Sequence, residues 1–309
     1  MVKSLLHAAG EPCCVSNAIL AVIRGYKHSL DVATISQGKT RFFSVLMLAW
    51  GLIADIDIES EKYRWMGSAR LDFYAIQRIF HLRHYNGRIC FVPAPGFEDY
   101  GEPMSYHSKP TDEESPKQEE SLKTQQHGYL GSDVELEDMH WRTISGPFVS
   151  VWLHNVPWGS EDVMAAPNAK SNFSSPNAAD EKVEEQIPAM FLLFCLILTI
   201  FTGSKFSDGY LDLIMVKGLP KLALLSMMSN MNDGSHVESP YVTYIKVKAF
   251  ILEPGTQVED PTKEGIIDSD GEVIARGNVT YKGNQKPLMA YDKVQITVDQ
   301  GLATLFAPK

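Results

Sequence analysis

The stretch YIKVKAFI, residues 244–251, is the clearest indication of the fold. Ile245, Val247, Ala249 and Ile251 alternate with Tyr244, Lys246, Lys248 and Phe250. Such a period of two is typical of a strand with one buried face. The stretches VSVWLH (149–154) and VQITVD (294–299) alternate in the same way. We therefore expect these segments to form strands of an antiparallel sheet.

Two other segments have helical spacing. In GSARLDFYAIQRIFHLRHY (67–85), Leu71, Tyr74, Ile79 and Leu82 form an apolar side. The second segment, LPKLALLSMMSNM (219–231), has a proline suited to the first turn of a helix. Strands dominate the second half of the chain, and helices do not alternate with them. The pattern predicts an α+β fold, a predominantly antiparallel β-sandwich with a few packed helices, rather than a βαβ repeat.

Composition and charge narrow the function classes. The 309 residues are 44% apolar, enough for a sizeable core, and the formal net charge is −10. Residues 98–138 hold twelve acidic residues and three lysines, so this segment carries nearly all of the excess charge. We expect a disordered acidic loop over 97–140. No basic stripe indicates nucleic-acid binding, and the four cysteines lack metal-site spacing, which favours a cytoplasmic setting.

Residues 171–205 are atypical of a packed domain. A polar acidic run is followed by fourteen uncharged, largely apolar residues, 189–202. A helix needs about 20 apolar residues to span a bilayer, so this run is short for a membrane span. A buried helix, an interfacial segment or a foreign insertion are the other interpretations.

The stretch AWGLIADIDIESEKYRWMGSAR, residues 49–70, runs from an apolar strand into charges of both signs. If a helix begins after Ile58, Asp57, Glu61 and Arg64 lie near one face. Arg70 shares that face only if the chain bends, for which Gly67 is suited. Two converging guanidiniums can hold phosphate oxygens, and a carboxylate beside an apolar region can pair with an ammonium or a hydroxyl. The alternative is a surface helix with ion pairs worth about 0–1 kcal/mol each.

The stretch IIDSDGEVI, residues 266–274, also has two interpretations. Asp270 and Gly271 between apolar runs predict a hairpin turn. Asp268, Asp270 and Glu272 could instead offer three carboxylates to the magnesium of a nucleotide complex, because hard cations prefer oxygen ligands.

Four separated blocks of the chain resemble sphingosine kinases, the plant long-chain-base kinases in particular. They are FFSVLMLAWGLIADIDIESEKYRWMGSAR, FYAIQRIFHLRHYNGRI, KFSDGYLDLIMVKG and IIDSDGEV. The resemblance implies a two-domain lipid kinase whose C-terminal domain is a lipid-binding β-sandwich. The family has GNGM ahead of KSLL, whereas this chain begins MVKSLL. We therefore expect the α/β nucleotide domain to be largely missing, together with its phosphate loop and general base.

The resemblance also implies a division of the chain. Residues 1–25 would be a remnant of the α/β kinase domain, and 26–96 with 141–309 would form the lipid-binding β-sandwich. Residues 171–205 have no family counterpart, and a translated intron would explain them.

Site residues follow from the same resemblance, position by position. Asp57 matches the acid that binds the sphingoid-base head group. Arg64 and Arg70 match the arginines that hold the ATP phosphates. Asp270 and Glu272 match acids near the nucleotide, with Asp270 near its magnesium. The apolar side of residues 71–82 would line the lipid pocket.

The implied reaction transfers the γ-phosphate of ATP, with Mg²⁺, to the primary hydroxyl of sphingosine, sphinganine or phytosphingosine and gives the 1-phosphate. We expect this chain to be inactive alone, because the general base lies in the missing region. The implied partners are the lipid, ATP, a membrane surface and a second copy in a homodimer, with peripheral attachment to a cytoplasmic or endomembrane face. The alternatives are a non-catalytic lipid-binding or regulatory fragment, and a relative of diacylglycerol or ceramide kinases. Asp57 argues against diacylglycerol, which lacks a cationic amine.

Overall fold

Antiparallel strands make up most of the computed structural model, which describes residues 15–25, 27–104, 139–159, 163–169, 207–277 and 287–306. Residues 105–138 of the predicted acidic loop and all of 171–205 lie outside these residues. The twelve described strands are β1 (Lys27–Gln37), β2 (Thr40–Ser44), β3 (Met47–Gly51), β4 (Tyr85–Pro93), β5 (Glu102–Pro103), β6 (Arg142–Ser145), β7 (Ser150–His154), β8 (Leu211–Val216), β9 (Val242–Gln257), β10 (Ile266–Ser269), β11 (Glu272–Arg276) and β12 (Val294–Phe306).

The strands form one sheet in the order β11-β10-β3-β7-β8-β9-β12-β1-β2, and every pairing is antiparallel. Strand β9 is the branch point, since it pairs with β8 along its first half and with both β12 and β4 further on. Strands β4, β6 and β5 continue from it as a side branch. The predicted antiparallel α+β architecture is confirmed.

Four α-helices lie among the described residues: α1 (Val15–Arg24), α2 (Leu52–Glu59), α3 (Ala69–Phe80) and α4 (Lys221–Ser229). Short 3-10 helices span Ser60–Met66 and Ser235–Glu238. Helices α3 and α4 confirm the two predicted helical segments with tighter bounds. Helix α2 begins at Leu52, whereas the sequence placed the helix start after Ile58.

The central strands are buried on both faces. One face carries the main core, which includes Leu153 and Ile245, and helices α2, α3 and α4 pack a second apolar cluster against the other face. Ser150, His154 and Lys246 are also buried, although the alternation predicted an exposed face for them. The helices supply the second layer that the strand pattern alone did not show.

The turn and loop predictions have mixed outcomes. Asp270 and Gly271 connect β10 to β11, and both have positive φ, 53° and 85°, as a two-residue hairpin of type I′ requires. The predicted loop start at residue 97 is too early, because Phe97 is buried in the core and β5 pairs with β6.

Burial of His154 predicts a pH-dependent stability. Burial, followed by the nearby His236, lowers the pKa of His154 to about 3 from the ordinary 6.5. The neutral ring is therefore favoured in the folded state, and its stabilising contribution is present above pH 6.5 and lost as the pH falls from 6.5 towards 3. We expect His154→Gln to reduce the slope of unfolding free energy against pH in this window by up to about 1.4 kcal/mol per pH unit.

Urea unfolding at several pH values measures this slope. The matched control is His140→Gln, since His140 is exposed. Equal slopes for the two variants would contradict the prediction.

Candidate active site

Helix α2 carries the charged side chains of the opening stretch. It leaves strand β3 through Gly51, whose φ of 86° and close approach to Val149 suit glycine, since an added Cβ would lie 2.5 Å from the Val149 carbonyl oxygen. The Leu52 amide donates to the same oxygen at 2.9 Å. This sharp exit points α2 along the end of the sheet.

Asp55 is the centre of a buried polar network. Its carboxylate is fully buried and accepts hydrogen bonds from Arg78 at 2.9 Å and from the Tyr85 hydroxyl at 2.6 Å. Arg83 lies 3.3 Å from the same oxygen. Burial raises the pKa of Asp55, while Arg78 opposes that rise by favouring the carboxylate. The network ties α2 to α3 and to strand β4.

Glu59 extends the network by one helical turn. It lies 3.0 Å from Arg83 and accepts a hydrogen bond from the Tyr74 hydroxyl. Burial alone would lower the pKa of Arg83, but Asp55 and Glu59 together raise it above its usual value. Arg83 therefore stays charged between two carboxylates.

Asp57 has different surroundings from Asp55 and Glu59. It is partly exposed, and its carboxyl group lies within hydrogen-bonding range of Asp268 on strand β10. Burial raises the pKa of Asp57, and Arg70 counteracts this rise. Asp57 thus combines access to solvent with a strongly acidic neighbourhood.

Glu61 brings the two predicted phosphate-binding arginines together. Arg64 and Arg70 each form an ion pair with it at 2.6 Å, and Arg70 also donates to Ser60 at 2.9 Å. The chain bends at Gly67, whose φ is 64°, before α3 begins. The bend confirms the geometric condition under which both arginines share one face, while their binding of ATP stays a prediction.

Asp270 is engaged with the protein itself. Its carboxylate accepts hydrogen bonds from the amides of residues 45, 46 and 47 at 2.9–3.0 Å and from the Ser44 hydroxyl at 2.8 Å. Glu272, its predicted partner, is exposed. The oxygens of Asp270 are thus taken up by the turn between β2 and β3, and this arrangement does not fit magnesium held by Asp270. The binding of ATP by Asp270 and Glu272 stays a prediction.

The described residues contain no group of three or more histidine, cysteine, aspartate or glutamate side chains placed to hold a metal ion. In the same part of the chain, no helix is long and apolar enough to cross a membrane.

The predicted lipid-pocket residues share one apolar cluster. Tyr74 and Ile79 are buried, and Leu71 and Leu82 pack against them beside residues of α2 and α4. Their contact with an acyl chain stays a prediction, since they pack here against protein.

The sequence pattern did not indicate the partners of Asp55. Arg78, Arg83 and Tyr85 lie 23, 28 and 30 residues further along the chain. Arg78 is on the buried side of α3 at 3% exposure. A charged residue on an apolar helix side was the one available sign, because such a residue is rarely buried unless it is paired.

Arg78→Met tests the buried network. Removing one partner of a buried ion pair leaves an uncompensated charge, so we expect the free energy of unfolding to fall by about 3 kcal/mol or more. The matched control is Arg88→Met, which breaks the more exposed pair with Glu253 and should cost about 1 kcal/mol or less. Urea unfolding followed by tryptophan fluorescence measures both, and similar losses would contradict the burial argument.

The chain is similar to known proteins. Residues 198–288 match the model of the YegS C-terminal NAD kinase beta sandwich-like domain. The whole chain aligns with sphingosine kinase 2 and sphingosine kinase 1 of Arabidopsis thaliana at 57% and 56% identity, covering 55% of each. The crystal structure of a putative diacylglycerol kinase from Bacillus anthracis aligns with 99% of this chain and 65% of its own, at 14% identity and a TM-score of 0.47.

The chain spans about half the length of these two Arabidopsis relatives. The alignment with both Arabidopsis proteins extends over all 309 residues of the chain. The matched domain model describes the same β-rich architecture. Over that half of their length, the chain is similar along all of its residues to the two sphingosine kinases of Arabidopsis thaliana.

Proposed function

We propose that this chain supplies the lipid-binding and part of the phosphate-binding surface of a kinase that phosphorylates the primary hydroxyl of a sphingoid base. One observation carries the proposal: a partly exposed carboxylate, Asp57, lies beside a guanidinium pair held by Glu61. The carboxylate suits a cationic amine, and the two guanidiniums suit phosphate oxygens.

The arginines would act on the transferred phosphoryl group. Phosphoryl transfer is accelerated mainly by positioning and by neutralising charge that spreads over the phosphate oxygens. The Arg64 side chain is 80% exposed and Arg70 is 17% exposed. Arg64 can therefore reorient towards a nucleotide, while Arg70 stays fixed between Glu61 and Ser60.

Asp57 would select the lipid class. A sphingoid base carries an ammonium beside its hydroxyl, which a carboxylate binds with a charge-assisted hydrogen bond. Diacylglycerol has no cation, and the amide of a ceramide is neutral. The carboxylate therefore favours the free base over both alternatives.

Radiolabelled ATP tests the reaction. The chain is assayed alone and after coexpression with the part of Arabidopsis sphingosine kinase 2 that it does not match, with sphingosine, diacylglycerol and ceramide as acceptors. We expect label on sphingosine in the combined sample only. Label confined to diacylglycerol or ceramide, or no label in any combined sample, would overturn the proposal.

Arginine variants test the phosphate role in that combined sample. We expect Arg64→Ala and Arg70→Ala each to lower kcat/KM for ATP by about 10²-fold or more, as removal of an electrostatic donor does elsewhere. Arg41→Ala is the matched control, because Arg41 is exposed on strand β2. Unchanged kinetics for both site variants would remove these arginines from the reaction.

We further propose that the outer face of α3 contacts the membrane that contains the lipid. Phe73, Ile76 and Phe80 are 46%, 50% and 60% exposed and follow one another at helical spacing. Leu222 of α4, 80% exposed, lies next to Lys221, which donates to the Phe80 carbonyl. A bilayer fits this surface, because a contiguous exposed apolar face marks an interaction site and the substrate is drawn from lipid.

Vesicle sedimentation tests the membrane contact. We expect the double variant Phe73→Ser and Ile76→Ser to bind phosphatidylcholine vesicles at least about fivefold more weakly, since each buried apolar side chain contributes about 1.5–3 kcal/mol. The control is Leu288→Ser, which removes an apolar side chain that is 50% exposed. Equal loss in both proteins, or no loss in the double variant, would contradict the assignment of this face.

A further inference from the structure

Asp268 on strand β10 is an acidic residue for which the proposed reaction has no assigned role. Its side chain is completely buried, and its neighbours along the sheet are Ala49 of β3 and Val273 of β11. Among the residues that the structure describes, neither of its carboxylate oxygens receives a hydrogen bond from an N–H or a hydroxyl group. A buried carboxylate without donors destabilises the fold, so stability does not explain its presence here.

Asp57 is the side chain next to the unsatisfied carboxyl group of Asp268. The two carboxyl groups are within hydrogen-bonding range of each other, because α2 packs across β10. Two carboxylates attract each other only if a proton or a cation lies between them. The contact therefore marks a position for a shared proton or, in its place, for a positively charged hydrogen-bond donor.

The surrounding charges favour a cation at this position. Asp270 and Glu272 face Asp268 from the same hairpin, and Glu61 faces Asp57 from the 3-10 helix. Arg70 faces Asp57 as the opposing cation, and it is already paired with Glu61 at 2.6 Å. Acidic groups thus outnumber the cation around the pair.

We propose that Asp268 is the second carboxylate of the head-group site and that Asp57 and Asp268 together bind a primary ammonium. This assignment rests on the proposed function, since it gives the sphingoid amine two acceptors where the family resemblance gives this chain one. An ammonium has three donors and fits between converging carboxylates, whereas a neutral amide cannot balance two negative charges. Asp268 is therefore a specificity-determining residue.

Ligand binding to the full 309-residue chain tests the proposal. Sphingosine and N-acetylsphingosine, which share a chain and a primary hydroxyl but differ in charge, are titrated while tryptophan fluorescence is recorded. We expect Asp268→Asn to weaken sphingosine binding about tenfold and to change N-acetylsphingosine binding less than twofold. Asp72→Asn, which removes one exposed charge on α3, is the matched control and should change neither.

The outcomes separate this proposal from the proposed function. If Asp57→Asn weakens sphingosine binding but Asp268→Asn does not, the role of Asp268 is overturned while the function stands. Equal weakening of both ligands by Asp268→Asn also overturns it, because that result indicates a structural role. If the wild-type chain binds both ligands equally and Asp57→Asn changes nothing, the sphingoid-base function itself fails.

A second variant covers a failure of Asp268→Asn to fold. Asp268→Ala removes the carboxylate without adding a polar group to the buried position, and thermal unfolding checks both variants before titration. Whichever variant folds must show the selective loss of sphingosine binding, and its absence overturns the proposal.

Discussion

The buried charge of Asp55 constrains the rest of the site. A carboxylate at zero exposure needs compensation by opposite charge. Arg78, Arg83 and the Tyr85 hydroxyl provide it at one carboxylate oxygen, from α3, from the segment that follows and from β4. Because these elements meet at one oxygen, α2 cannot rotate or slide without leaving a buried charge unpaired. The same constraint fixes every other side chain on α2.

Helix α2 and the turn after it separate two kinds of acid. Asp55 and Glu59 are four residues apart and face Arg78 and Arg83. Asp57 and Glu61, also four apart, face Asp268, Arg64 and Arg70. Residues two apart on a helix point about 200° away from each other, since each residue turns the chain by about 100°. The four acids that alternate along the sequence thus form two pairs. Asp55 and Glu59 hold the fold together, and Asp57 and Glu61 face the proposed ligand site.

The alternation of acids also explains why the start of α2 was predicted too late in the sequence. A period of two looks like a strand, so the helix start was placed after Ile58, although Gly51 already ends β3. Alternation in 244–251 and the turn at Asp270 and Gly271 predicted local structure correctly, because neighbouring residues decide it. The partners of Asp55 and the contact between Asp57 and Asp268 depend on packing between distant segments, which no local pattern encodes.

The number of hydrogen-bond donors around an acidic side chain distinguishes acids that stabilise the fold from acids that can bind a ligand. On the β10–β11 hairpin, Asp270 receives three amide donors and one hydroxyl and so holds the turn between β2 and β3. Asp268, two residues away, receives none from the described residues. On α2, one oxygen of Asp55 receives donors from Arg78, Arg83 and Tyr85. An acid whose oxygens already accept hydrogen bonds from the protein gains few new ones from a ligand. The pair of Asp57 and Asp268 can instead accept hydrogen bonds from the three N–H groups of one ammonium. The chemistry of the site is therefore set less by how many acids it has than by which of them the fold leaves unsatisfied.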